Sequence, residues 1–246
     1  MKTFGILGYP LTHTYSPAYY NGRFARESIE AEYRTFEIAD ITDLPHLLGQ
    51  IPNLRGFNVT IPHKENILPY LDYISEEAQA IGAVNCVSVE YRNGRPYLTG
   101  YNTDMEGFRN ALTAFIPTGI DQALVLGNGG AAKAIRYALQ TLGITPLTVS
   151  RTPQKPGQIG YADIANHLST HRLIVNTTPL GTYPDIQSCP PIPYELLTPE
   201  HYLFDLVYNP SITTFMQKGE KAGAHTCNGY AMLLGQAEKN WDIWEL

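Results

Sequence analysis

Residues 56–61, Gly-Phe-Asn-Val-Thr-Ile, alternate in character. As an extended chain they would place Phe57, Val59 and Ile61 on one face and Asn58 and Thr60 on the other. Pro62 lacks an N–H, so it closes the strand and sets Lys64 just past its carboxyl end, the side on which open α/β sheets bind ligands. An apolar run at 4–8 reads as a buried strand ended by Tyr9-Pro10, and Ser16-Pro17 has the form of an N-cap and first helical residue, opening a helix to about residue 28. The pattern then predicts a strand at 32–38, a helix near 41–48, a helix over 75–81 closed by Gly82, and a strand over 83–90 followed by an Asn93-Gly94 hairpin turn. Thr103 and Glu106 have capping-box spacing ahead of a helix with Phe108, Leu112 and Phe115 on one face.

From residue 119 the pattern changes. A strand at 122–126 runs into Gly-Asn-Gly-Gly-Ala-Ala at 127–132, then a helix over 133–142 stopped by Gly143, then a strand at 146–150. This is the dinucleotide fingerprint in the context it requires. Gly127 permits the tight turn, Gly129 lets the backbone approach a pyrophosphate, and Ala132 allows close helix packing. Further strands are predicted at 173–176 and 202–207, separated by a proline-bearing loop, and a terminal helix opens at Asn228. Its stripe of Tyr230, Leu233, Ala237 and Trp241 reads as core, leaving Gln236 off the stripe and free to face a cleft.

A net charge of −6 with no basic run argues against nucleic acid and anionic membranes as partners. No apolar stretch approaches the roughly 20 residues of a membrane span, and the start of the chain reads as a strand rather than a leader, so a cytoplasmic location is expected. Cys86, Cys189 and Cys227 are odd in number and widely spaced, which indicates neither a disulfide framework nor a metal site.

Three features carry candidate chemistry. The amino end of the first helix, with the hydroxyls of Thr14 and Ser16 beside unpaired N–H groups, could seat a carboxylate or be an ordinary cap. The strand at 146–150 is followed not by the acid that accepts from an adenosine ribose but by Arg151 and Lys155. An acid there would repel a 2′-phosphate, whereas these two cations would pair with it, which points to NADP rather than NAD. Hydride transfer to a ketone needs a proton donor at the oxygen, and Lys64, tuned by burial and by Asp104, fits that role. Asp104 in the first turn of its helix could equally do no more than complement the helix dipole.

Several separated motifs together resemble the shikimate dehydrogenase family across nearly the whole chain. They are Thr14-Tyr-Ser16-Pro17, Asn58-Val-Thr60-Ile-Pro-His-Lys64, Gly82-Ala-Val-Asn85, Asn102-Thr-Asp104, the loop from Gly127 through Asn128, Gly129 and Gly130 to Ala131, Ser150-Arg151-Thr152, Asn176-Thr-Thr-Pro-Leu-Gly181, Tyr208, and Gly229 with Met232, Leu233 and Gln236. The resemblance implies an α/β enzyme of two domains that reduces 3-dehydroshikimate to shikimate with NADPH, on the route to aromatic amino acids. An open α/β substrate-binding sheet would comprise residues 1–103 and 225–246, and a Rossmann-type NADP-binding domain 104–224.

Roles follow by position. Thr14, Ser16 and Tyr208 would hold the substrate carboxylate, and Asn58, Thr60, Asn85, Asp104 and Gln236 the ring hydroxyls. The 127–131 loop with Ser150, Arg151, Thr152 and Lys155 would hold NADP, with Leu206 and Gly229 against the nicotinamide. Lys64 and Asp104 would be catalytic, Asp104 orienting the lysine. The partner would be a small-molecule substrate, the protein a monomer or homodimer. Four residues depart from the family pattern: Thr14 for serine, Cys86 for threonine, Asn128 for a small residue and Ser150 for asparagine. A quinate or quinate/shikimate dehydrogenase, a methylenetetrahydrofolate dehydrogenase and a non-catalytic NADP-binding sensor are the rival readings. The carboxylate seat and Asn-Thr-Asp motif do not suit a pterin, and a sensor would be expected to have lost Lys64 or Asp104.

Overall fold

The apolar run at the start of the chain forms β1 (Lys2–Gly8), the second strand of a six-stranded mixed sheet in the computed structural model, which describes residues 1–11 and 14–246. With β2 (Ala31–Glu37), β3 (Leu54–Val59), β4 (Tyr73–Ile74), β5 (Cys86–Arg92) and β6 (Arg95–Tyr101) the order is β2-β1-β3-β5-β6-β4. Strands β2, β1 and β3 are parallel, while β5 runs antiparallel to both β3 and β6. The β5–β6 hairpin closes on Asn93 (φ 52°) and Gly94 (φ 78°), both left-handed, as the Asn-Gly pair predicts. Helices α1 (Ser16–Glu27), α2 (Leu44–Gln50) and α3 (Glu76–Ile81) connect the strands, and Gly82 ends α3 at φ 72°.

Three boundaries differ from the sequence reading. The strand predicted to reach Ile61 ends at Val59, because His63 N–H bonds back to Thr60 O and turns the chain. Phe57 and Val59 are in the core as expected, but Ile61 is 67% exposed. The 41–48 helix begins as a tight 3-10 turn, capped by Asp40 accepting from Thr42 N–H, before Pro45 opens α2. Strand β5 starts at Cys86, leaving Asn85 just before it.

The second sheet is wholly parallel: β7 (Gln122–Leu126), β8 (Thr145–Val149), β9 (Gln158–Ile159), β10 (Leu173–Asn176), β11 (Tyr202–Asp205) and β12 (His225–Cys227), in the order β12-β11-β10-β7-β8-β9. Helices α4 (Asp104–Phe115), α5 (Gly130–Thr141), α6 (Thr214–Lys221) and α7 (Tyr230–Ile243) complete the elements. The order reverses between β7 and β10, the switch point of a doubly wound nucleotide-binding sheet. Ala132, Ala134, Ile135, Ala138 and Leu139 form the buried face of α5.

The chain divides into Met1–Thr103 with Lys239–Leu246, and Asp104–Glu238. The return to the first unit comes later than residue 225, because β12 is laddered to β11 and keeps 225–238 with the second sheet. On α7 the buried face also differs from the stripe read in the sequence. Tyr230 is 43% exposed and Leu233 half-buried, while Met232, Gln236, Ala237, Asn240 and Trp241 are buried. At its end, Trp244 donates to Val87 O (3.0 Å) and lies on Gly56, where a Cβ would sit 2.2 Å from the indole. No helix among the described residues is long and apolar enough to cross a membrane.

Candidate functional site

In the first unit the motif residues are stitched together by hydrogen bonds. Val59 N–H and Asn58 Nδ2 both donate to Asn85 O (2.8 and 3.1 Å), and Val84 N–H donates to Lys64 O (2.8 Å). The segment after Gly82 therefore runs along the loop that carries Lys64. His63, buried beside Lys64, fixes the same loop to the end of β2 through Nε2 and Ile38 O (2.7 Å). Lys64 itself is half-buried, five residues beyond β3. Thr60 is half-buried with its methyl over Gly8, where a Cβ would lie 2.4 Å from Thr60 Cγ2.

Ser16 is not the N-cap expected from the sequence. It is the first residue of α1, Tyr15 takes the cap position, and no side chain caps the helix. Ser16 is buried there, 8% exposed, while Thr14 is half-buried just ahead of the helix. Tyr33 Oη donates to Asn58 Oδ1 (2.6 Å). Burial pushes the Tyr33 hydroxyl well above its ordinary range, so it remains a donor. From Asn85 the polar chain continues: its Nδ2 donates to Thr103 Oγ1 (3.0 Å), Thr103 Oγ1 to Asn240 Oδ1 (2.7 Å), and Asn240 Nδ2 to Tyr20 Oη (3.1 Å). All six side chains are buried and none is charged. Tyr33, Asn240 and Tyr20 were not singled out in the sequence, where Thr103 was read only as part of a capping box and of the Asn-Thr-Asp motif; the available signal was an asparagine beside Trp241 in the terminal helix.

In the second unit the glycine loop follows β7. Gly127 has φ +112°, and a Cβ there would meet Thr177 Oγ1 at 2.6 Å. Thr177 binds Leu126 O through both its N–H (3.0 Å) and its hydroxyl (2.6 Å), so the ends of β7 and β10 are joined at the switch point. Gly129 caps α5 with extended backbone and no side-chain cap, and a Cβ there would meet nothing within 4 Å. The loop thus presents helix N–H groups and open space together, a fit for a dinucleotide diphosphate. Asn128 is held by Arg136 Nη1 (3.2 Å). Arg151, Thr152 and Lys155 are exposed after β8, with Thr152 N–H on Ser150 Oγ (3.3 Å). Burial pushes the Tyr161 hydroxyl up, and the charge of the Arg151 guanidinium opposes that shift.

Two further groups lie at the carboxyl ends of β10 and β11. Asp205, fully buried, accepts from Asn176 Nδ2 (2.9 Å), Val207 N–H (3.1 Å) and Thr213 Oγ1 (2.6 Å). Burial pushes its carboxyl up to about 6, against the pull of those three donors. Asp205 was missed in the sequence, although an acid inside the apolar run Leu-Phe-Asp-Leu-Val was visible. Beside it, Gly229 packs on Leu206, where a Cβ would lie 2.1 Å from Leu206 O, and Gly229 N–H donates to Val207 O (3.2 Å). Leu206 and Tyr208 are half-buried. Helices α4 and α7 cross backbone to backbone at Gly107 and Gly235, which brings Gln236, 8% exposed, against the turn that follows Asp104, 7% exposed. Gln236 is therefore on the packed face of α7 and not off it. Among the described residues no group of three His, Cys, Asp or Glu is placed to hold a metal.

Residues 6–87 match the family model described as the shikimate dehydrogenase substrate binding domain. The chain is 36% identical to a shikimate dehydrogenase (NADP(+)) of Carboxydothermus hydrogenoformans, over 99% of this chain and 91% of that one. The fold is similar to the shikimate 5-dehydrogenase of Thermus thermophilus solved with NADP(H) and shikimate (TM-score 0.83, 35% identity, 99% and 93% covered). It is also similar to quinate dehydrogenase from Corynebacterium glutamicum solved with NAD (TM-score 0.86, 25% identity, 99% and 93% covered).

Proposed function

This chain belongs to the shikimate dehydrogenase family, NADP-dependent oxidoreductases acting on a CH–OH group, and from that premise we propose how its residues divide the reaction. The first unit holds the substrate. Thr14, Ser16 and Tyr208 take the carboxylate; Asn58, Thr60, Asn85, Asp104 and Gln236 take the ring hydroxyls. The observation that carries this reading is the stitching of Asn58, Asn85 and the Lys64 loop, which sets three motif segments on one rim.

The second unit holds NADP. The N–H groups of 129–131 meet the diphosphate, Arg151 and Lys155 the 2′-phosphate beside Ser150 and Thr152, and Leu206 and Gly229 the nicotinamide. Bound NADPH supplies the hydride. Lys64 then gives a proton to the C3 oxygen of 3-dehydroshikimate on reduction and recovers it on oxidation, while Asp104 accepts from the adjacent ring hydroxyl. Three widely spaced cysteines, odd in number, support a reducing, cytoplasmic setting, in which the protein acts as a monomer or homodimer. The test is absorbance at the nicotinamide band with shikimate or quinate against NADP or NAD. Fastest turnover with shikimate and NADP is expected; turnover with no pair would sink the assignment.

A further inference from the structure

Tyr33 bonds to one of the residues proposed to hold substrate. It lies in β2, 3% exposed, with its ring stacked on Tyr20 (centroids 4.5 Å apart, planes 12° from parallel). Its hydroxyl meets Asn58 Oδ1 at 2.6 Å. The phenol has one proton and a carboxamide oxygen can only accept, so that proton goes to Asn58. On the other side of the same amide, Nδ2 donates to Asn85 O at 3.1 Å. Turning the amide over would set its oxygen against the Asn85 carbonyl and leave the phenol proton facing an N–H group. The two neighbours therefore hold the amide in one sense, with its oxygen turned to the phenol and one N–H left over from the bond to Asn85.

The geometry points to Tyr33 as a positioning residue that fixes the orientation of the Asn58 amide, so that its second N–H is offered to a substrate ring hydroxyl, which accepts at this point and keeps its own proton for another partner. This rests on the reading that Asn58 holds a ring hydroxyl. Loss of the phenol oxygen would thus weaken the hydroxyl end of substrate recognition and leave the carboxylate end intact.

Tyr33→Phe keeps the stacked ring and deletes only the hydroxyl. Its shikimate KM is expected to rise about tenfold, the scale of one mispaired buried group, with kcat and NADP KM in place. Inhibition by 1-cyclohexene-1-carboxylate, which has the carboxylate and no ring hydroxyl, should be unchanged. Asn58→Ala should raise shikimate KM at least as far, and adding Tyr33→Phe to it should cost nothing more. An unchanged shikimate KM in Tyr33→Phe overturns the inference, as does a parallel weakening of shikimate and the hydroxyl-free acid, which is what a merely structural role gives. If Asn58→Ala leaves shikimate KM unchanged, the underlying reading of Asn58 fails as well. If Asn58→Ala weakens shikimate and Tyr33→Phe does not, only the role of Tyr33 falls.

Discussion

Each unit buries a polar network, and the two are built from different chemistry. In the first, Tyr33, Asn58, Asn85, Thr103, Asn240 and Tyr20 pass hydrogen bonds from one neutral group to the next. In the second, one carboxylate, Asp205, gathers Asn176, Thr213 and the backbone of Val207. A neutral chain fixes which atom of each amide faces outward and does not respond to pH between about 5 and 9. A buried carboxylate holds more donors at once but carries a solvation cost that depends on its protonation. The first network therefore suits recognition of a neutral, hydroxyl-bearing ring, and the second a backbone brace under Leu206 and Tyr208.

The largest expected effect lies on the rim of the first unit. Lys64→Ala should lower kcat by roughly 10²–10⁴-fold, with a smaller change in KM. A variant that kept its turnover while losing shikimate affinity would show that Lys64 only binds.

Next comes the ionisable network. The folded-state pKa of Asp205, about 6, lies above the ordinary aspartate value of 3.8, so its contribution to stability is fully present below 3.8 and is lost as pH rises through 6. The loss amounts to about 3 kcal/mol by neutral pH. Asp205→Asn should melt higher than the parent at pH 8, and the gap should close by about pH 4. Thermal melts across that range check it, and a pH-independent gap would mean that Asp205 does not titrate there. Tyr33→Phe, by contrast, should shift the melting temperature equally at both ends of the range.

Arg151→Ala should reduce kcat/KM for NADP by about 10- to 100-fold, the scale of a lost charge-assisted contact, and leave NAD little changed. Equal efficiency of the two cofactors in the unaltered enzyme would remove the basis for that expectation. Smallest is Thr14→Ser. Shikimate should be clearly preferred over quinate, whose extra hydroxyl needs room beside the carboxylate, and removing the Thr14 methyl should improve quinate turnover by about tenfold or less. An unchanged quinate-to-shikimate ratio would clear the methyl.

Local demands on the backbone were legible in the sequence alone. Gly127, Gly82 and the Asn93-Gly94 turn all have the positive φ that their residue types announced, and the strand, glycine turn and helix at 122–141 stand where the pattern placed them. So was chemistry that depends only on which residue ends a strand: no acid follows β8, and Arg151 does. The elements misjudged are those whose neighbours come from far along the chain. Ser16 looked like a cap, but it is a buried residue at the start of α1; Gln236 looked free of the packed stripe, but Gly107 on α4 admits its helix. Gly56 and Gly229 carry no positive φ, and are explained only by the indole and the carbonyl that lie on them. Periodicity and turn preference report what the chain does within a few residues. A hydrogen bond such as that of Thr103 to Asn240, 137 positions apart, depends on the register of two packed elements, which only the tertiary structure decides.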